Sequence, residues 1–325
     1  MKAMVLESSR LKAPFPWFGG KSKVAGVVWE RFGDVKRYVE PFFGSGAVLL
    51  GRPEWHLRSD APRYEYANDK NGFVANFWRA LQREPGTVAS HADYPVFEND
   101  KHARHAWIMS RKADLVARLE GNPDYYDAKI AGWWVWGASI NIGSGFCNGG
   151  GWGVVDEKLV RTPGAPNSIS RALFSNRIQG VRRTTNSASY LHDLAGRLKG
   201  VRVACGDWAR IVQPAFTTEG VATGIFLDPP YMQEGREAGV YADDDVDIAA
   251  AVAAWVLANG DNPDFRIAYC GYEDGTALFP ATWEKIAWSA KGGYGNLGED
   301  YQNRHRETIW FSPHCLKAPE QLGMF

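Results

Sequence analysis

Asp228-Pro229-Pro230-Tyr231 is the run of residues with the clearest chemical content in this sequence. It follows Ile225-Phe226-Leu227, a continuous apolar run that reads as a central strand buried on both faces. The proline pair forbids helical continuation and removes two backbone donors, which leaves carbonyl oxygens as acceptors beside the Asp228 carboxylate. An exocyclic amino group has two hydrogens to donate, and this pair of acceptors takes both. The amine is then held with its nitrogen lone pair toward an electrophile, while the Tyr231 ring stacks on the planar base that carries it.

Three further segments belong at the same place. Glu40-Pro41-Phe42-Phe43-Gly44-Ser45-Gly46 follows the β-favouring pair Tyr38-Val39, so a glycine turn brings backbone close to a ligand or simply makes a tight corner. Its spacing is neither Gly-x-Gly-x-x-Gly nor Gly-x-x-x-x-Gly-Lys-Ser/Thr, which argues against a dinucleotide and a nucleoside triphosphate. Asp69 stands at the end of a short strand through Tyr64–Ala67, where a carboxylate accepts from a ribose diol or caps the next helix. Asp207 ends the strand Val201–Cys205. In doubly wound sheets ligands sit at the carboxyl ends of strands, so Gly44, Gly46, Asp69, Asp207 and Asp228 share one crevice.

The elements that must hold these residues follow a βα rhythm. A helix over Val24–Arg31 precedes the first strand, a helix starts at Ala47, and Phe73, Phe77 and Leu81 mark another after the second strand. Two successive β–α units predict the start of a parallel, doubly wound α/β sheet. The rhythm breaks between about Glu84 and Gly196, which is rich in Trp, Gly, Asn and Arg. We expect an inserted domain there, part helical and part glycine-punctuated hairpin. It resumes with Val201–Cys205, Ile225–Leu227, a helix from about Val246 to Ala258 stopped by Gly260, a strand over Phe265–Tyr269, and two strands near Trp283–Trp288 and Glu307–Phe311. The expected division is therefore a first core part over 1–83, an insert over 84–196 and a second core part over 197–325.

Composition bounds the function. The chain has 325 residues, 45% of them apolar and 23% charged, which excludes disordered and fibrous classes. Without an apolar run of membrane-span length or an apolar stretch near Met1, the expected location is the cytoplasm. Cysteines at 147, 205, 270 and 315 form no Cys-x-x-Cys pair, against a zinc ribbon or disulfide framework. Net charge is zero, but the balance is uneven: nine basic residues against Asp193 alone lie between Lys158 and Arg202, and fourteen acidic against four basic between Gly224 and Tyr301. Such asymmetry points to a polyanion-facing surface, with Arg171, Arg177, Arg182 and Arg183 as candidate phosphate clamps.

Trp17-Phe18-Gly19-Gly20-Lys21, Val39 through Gly46 and Asp228-Pro229-Pro230-Tyr231, in that order, resemble the D12 class of DNA adenine-N6 methyltransferases. The resemblance implies a Rossmann-like methyltransferase core with a mostly parallel sheet, S-adenosylmethionine as cofactor, and target recognition in the insert. It places Trp17 and Lys21 at the methionine end of the cofactor and has Phe42, Gly44 and Gly46 line its pocket. Asp69 then holds the ribose and Asp207 the cofactor adenine, and Asp228, Pro229, Pro230 and Tyr231 receive a flipped adenine from double-stranded DNA. Direct in-line transfer needs geometry rather than a covalent enzyme intermediate or a metal. A cognate restriction endonuclease is a possible partner, and a free-standing phage or bacterial enzyme is the alternative. The acceptor pair leaves open methylation of cytosine N4 or of adenine in RNA, and a non-catalytic DNA-binding or cofactor-sensing module is a reading of another class.

Three other signals are read structurally. His102 and His105 have helical spacing for metal ligation but no evident third ligand. Asp243-Asp244-Asp245-Val246-Asp247 lacks the glycine and final glutamate of a calcium loop and reads as acidic residues at a helix start. Trp133, Trp134 and Trp136 read as packing residues rather than base-stacking ones.

Overall fold

The computed structural model describes residues 11–17, 20–53, 63–141, 146–147, 150–155, 158–163, 187–213, 220–230, 246–272, 279–288 and 307–317. Strands β1 (Arg37–Glu40), β2 (Tyr64–Asp69), β5 (Val201–Cys205), β6 (Thr223–Leu227), β7 (Phe265–Tyr272), β8 (Glu284–Ala287) and β9 (Glu307–Phe311) form one seven-stranded sheet in the order β5-β2-β1-β6-β7-β9-β8. The first five are parallel, and β9 runs antiparallel to both β7 and β8. β3 (Gly150–Val155) and β4 (Lys158–Pro163) form a separate antiparallel hairpin inside the stretch read as an insert.

Burial along the strands explains the order. All of β1 and β6 is buried, as the central strands of a sheet covered on both faces must be, and in β1 that includes the charged residues Arg37 and Glu40. At the two edges, β5 alternates between buried and more exposed positions and β8 between half-buried and exposed ones. Successive residues of β6 point to opposite faces: Phe226 packs with one apolar cluster, Ile225 and Leu227 with the other. The first cluster takes Val28, Trp29 and Phe32 of α1 (Ala25–Phe32), Val48 and Leu49 of α2 (Ala47–Leu50), and Phe73, Phe77 and Trp78 of α3 (Gly72–Arg83). The second takes Val252, Ala253 and Val256 of α9 (Val246–Asn259). Helices on both faces make the sheet doubly wound, as the βα rhythm predicts.

α3 is buried almost all round because it lies between the sheet and a further helical layer. That layer contains α4 (Pro85–Ala92), α5 (Glu98–Met109), α6 (Lys112–Gly121), α7 (Ala128–Ile140) and α8 (Ser187–Leu198). Asn71 caps α3, its side-chain oxygen accepting from the Phe73 and Val74 N–H groups. Two polar residues buried in the helix join it to the outer layer. Asn76 exchanges two hydrogen bonds with the Asp127 backbone, and Arg79 donates to the Val203, Leu119 and Asn122 carbonyls. Helices α4 to α7, inside the region read as an insert, thus share a continuous core with the first face of the sheet. Trp134 and Trp136 are buried in α7, and the Trp136 indole donates to the Tyr94 carbonyl, so both are packing residues.

Candidate active site

In chain order the strands step from β1 outward to β2 and β5, then return to β6 beside β1 and continue to β7 on the other side. β1 and β6 therefore flank the point where strand order reverses, which is where ligands bind in open α/β sheets. A small concave site lies there, lined among others by Trp17, Lys21, Glu40, Phe42, Phe43 and Asp228. The pocket brings together Trp17, Lys21, Phe42 and Asp228 from three separate sequence segments.

Asp228 leaves the end of β6 and its Oδ2 lies 2.8 Å from the Lys21 Nζ. Lys21 is 4% exposed, just before α1, with the Trp288 ring centroid 5.4 Å from its ammonium and Glu307 Oε2 at 4.0 Å. Burial works against the charge on Lys21, but Asp228, Cys270 and Glu307 outweigh it and hold the amine above the ordinary lysine range. Lys21 thus stands against the proposed amine acceptor itself. Glu40, 2% exposed at the end of β1, accepts from the Tyr38 hydroxyl at 2.8 Å. Burial pushes its carboxyl well above the usual range, with Asp228 and Asp69 adding to the effect.

The glycine turn has a tight mechanical reason. Gly44 and Gly46 have φ of 46° and 62°, in the left-handed region. A Cβ on Gly44 would lie 2.4 Å from the Trp17 indole nitrogen, and one on Gly46 2.7 Å from the Phe43 ring. The glycines admit the aromatic walls of the pocket. Asp69 ties this turn to the next strand: one carboxylate oxygen accepts from Gly44 N at 2.7 Å, the other from Asn71 N at 2.8 Å. Burial raises its carboxyl to about 6 against these two hydrogen bonds. Asp69 therefore organises the start of α3 through Asn71, which makes the cap.

Asp207 stands apart from the pocket lining. It is exposed, and its Oδ1 accepts from Ala209 N at 2.8 Å, capping a single 3₁₀ turn over Trp208–Ile211. The following Trp208 stacks on Phe42 with centroids 6.3 Å apart and planes at 23°, linking this strand end to the pocket wall. Pro229 is buried and Pro230 half-buried. Tyr231, Arg171, Arg177, Arg182, Arg183 and Asp243, Asp244 and Asp245 lie outside the described residues.

Sequence reasoning missed Glu40 as a pocket residue, Glu307 and Trp288. Glu40 had a signal, a carboxylate directly after the β-favouring pair Tyr38-Val39 and before the glycine turn. Glu307 had none, because it stands at the start of an antiparallel strand rather than the end of a parallel one. His102 and His105 do not converge on a metal: His105 meets the Phe146 ring edge-on, and burial, then Lys101, lower its imidazole to about 4. Among the described residues no group of three His, Cys, Asp or Glu is placed to hold a metal. No helix among them is long and apolar enough to cross a membrane.

Residues 17–121 match the family described as D12 class N6 adenine-specific DNA methyltransferase. A relative named "DNA N-6-adenine-methyltransferase" from Escherichia phage P1 is 29% identical over 99 residues, 30% of this chain. The aligned part spans 12% of that relative's length. The family match runs from Trp17 through Lys21, the Glu40–Gly46 turn and Asp69, and on past α3 to the end of α6. Over this stretch the chain is similar to the D12 class of N6 adenine-specific DNA methyltransferases, and the matched residues line the crevice into which β6 delivers Asp228 from outside the match.

Proposed function

We propose that this chain methylates N6 of adenine in double-stranded DNA, using S-adenosylmethionine and direct in-line transfer. The observation that carries the reading is the pocket at the strand-order reversal, where the Asp228 carboxylate meets the aromatic walls set by Gly44 and Gly46. The lining fits the cofactor: Trp17, Phe42 and Phe43 offer π faces, which favour a sulfonium cation, and the Asp228 carboxylate stands beside them. When bound there, the cofactor supplies an electrophilic methyl group on sulfur.

This chain's own residues then do the positioning. Trp17 and Lys21 flank the methionine end, Asp69 faces the ribose from the end of β2, and the Phe42–Trp208 stack leads toward Asp207 and the adenine ring. Gly44 N occupies one Asp69 oxygen and Asn71 N the other, and the second lone pair of each oxygen is what a ribose diol would use. Asp228 and the Pro229 carbonyl would accept the two hydrogens of the target amine and so aim its nitrogen lone pair at the electrophile. Tyr231 stacks on the extruded base. Burial holds the Cys205 thiol up at about 12 and Cys270 well above its usual range, so neither supplies a nucleophile, in keeping with single-step transfer. Extruding the base costs a few kcal/mol, which the insert over 84–196, with Arg171, Arg177, Arg182 and Arg183 on phosphates, is proposed to offset.

The test is to incubate the protein with radiolabelled S-adenosylmethionine and unmethylated genomic DNA, with RNA in parallel, and to identify the labelled nucleoside. N6-methyldeoxyadenosine supports the reading, and its loss in Asp228→Ala with DNA binding retained locates the chemistry. Label in N4-methyldeoxycytidine or in RNA replaces the substrate. Absence of label from both, in a protein that binds DNA, refutes an enzymatic role.

A further inference from the structure

Glu307 is the first residue of β9 and pairs in register with Tyr272, the last residue of β7. Because β9 runs against β7, its beginning reaches the crevice that the parallel strands reach with their ends. Glu307 Oε2 is buried and has no hydrogen-bond partner among the described residues. It lies 4.0 Å from the Lys21 Nζ, whose other neighbour, Asp228 Oδ2, is at 2.8 Å. The Trp288 ring stands over the same ammonium. One buried cation is therefore set between two carboxylates, bonded to one and just out of reach of the other. An unpartnered carboxylate oxygen in such a place is costly in a resting protein, so its position needs a reason.

The reading above supplies that reason, and the inference rests on it. An amine that attacks a sulfonium methyl acquires positive charge as the new bond forms. A lysine ammonium hydrogen-bonded to the same Asp228 carboxylate competes with that amine for lone pairs and repels the charge growing on it. We propose that Glu307 is a positioning residue that takes the Lys21 ammonium over from Asp228 when the target amine arrives. Closing from 4.0 Å to hydrogen-bond distance is a move of about 1 Å, within ordinary rotation of a lysine stem. Lys21 remains protonated throughout and transfers no proton; the one that the methylated nitrogen must lose passes to solvent. What changes is which carboxylate it neutralises, and Asp228 is left with its full charge for the amine. Glu307 ends paired in place of Asp228.

Two measurements test this, both on the full chain. In steady-state methylation of duplex DNA carrying the mapped site, Glu307→Gln is expected to lower kcat/KM for DNA about tenfold or more. Its KM for S-adenosylmethionine stays within about twofold of the parent value, because the lost acceptor serves the amine and not the cofactor. Glu307→Asp, which keeps the charge one methylene shorter, recovers at least part of the loss. Equal losses in both variants, or a Glu307→Gln protein with unchanged kcat/KM, overturn the role. Should Glu307→Gln fail to fold, the second measurement stands alone: a structure of the parent protein with the same duplex and S-adenosylhomocysteine. Lys21 Nζ bonded to Glu307 is the expected result, and Lys21 still bonded to Asp228 beside the flipped base overturns the proposal. A parent protein that transfers no methyl group to DNA refutes the underlying reading and this role with it, whereas an active parent with an indifferent Glu307→Gln refutes this role alone.

Discussion

Gly44→Ala places a methyl group where the structure has least tolerance for one. The residue has φ of 46°, and an added Cβ would lie 2.4 Å from the Trp17 Nε1 and 2.9 Å from its Cε2. Holding alanine in the left-handed region costs about 1–2 kcal/mol. The clash adds about 1–3 kcal/mol if the ring stays and the turn strains. If instead the ring moves, it gives up the edge contact with Phe15 at 5.9 Å, worth about 0.5–1.5 kcal/mol, together with its place in the pocket wall. The backbone is not free to yield, since Gly44 N donates to Asp69 at 2.7 Å and Gly44 O accepts from the Trp78 indole at 2.9 Å. The expected destabilisation is about 2–4 kcal/mol, read by denaturant unfolding, with weaker S-adenosylmethionine binding by calorimetry. A double-mutant cycle with Trp17→Ala separates the two parts. Removing the indole abolishes the clash and leaves only the backbone cost, so the double variant should be about 1–3 kcal/mol more stable than the sum of the single losses. Additive losses would refute the claim that Gly44 is glycine in order to admit Trp17.

The other predictions address the frame and the DNA contact. Glu65 on β2 accepts from Arg52 and Arg197, with side chains 12%, 0% and 13% exposed, so Glu65→Gln should cost about 3–5 kcal/mol at pH 7 by stranding two buried guanidinium groups. Burial works against the charge on Glu65, yet the two arginines win and keep its carboxyl below the usual range. Its contribution is therefore present above the unfolded value of about 4.3 and is lost as pH falls through the lower folded one. Parent and variant melting curves should converge on acidification below that point, and a gap that does not narrow contradicts the assignment. Arg182→Ala with Arg183→Ala should weaken duplex binding and reduce the slope of log affinity against log salt by about 2, and an unchanged slope removes both arginines from the phosphate contacts.

The strands of the sheet were legible because each signals itself within a few residues. Ile225–Leu227 is apolar on both faces and stops at a proline pair, and Val201–Cys205 stops at Gly206-Asp207. The ends of β1 and β6 line the pocket, as the reversal of strand order between them requires, whereas Asp207 at the end of β5 stands apart from it. Lys21 against Asp228 was out of reach, because nothing near either residue names a partner so far along the chain. Glu307 escaped for a topological reason, as only knowledge that β9 is antiparallel places its first residue in the crevice. Asp69 shows a third limit. A carboxylate at a strand end was correctly located, but that both of its oxygens would bind backbone N–H groups depended on the fold of the glycine turn. The composition of 84–196 announced an interruption of the βα rhythm, and could not reveal that Asn76 and Arg79 on the preceding helix would fasten its helices to the sheet.

The segment that carries Trp17 into the pocket has a consequence for how the protein is made. Phe15, 2% exposed, packs against Phe77, Trp78 and Trp134, while Lys12 N donates to the Tyr190 hydroxyl at 2.8 Å. The ribosome therefore delivers this piece long before its seat exists. At about 5–20 residues per second, Phe15 precedes Trp134 by about 6–24 s and Lys12 precedes Tyr190 by about 9–36 s, and until then these contacts cannot form. The earliest part of the binding wall is in this way among the last to lock, and the growing chain must keep that end loose and soluble until α7 and α8 have emerged to close over it.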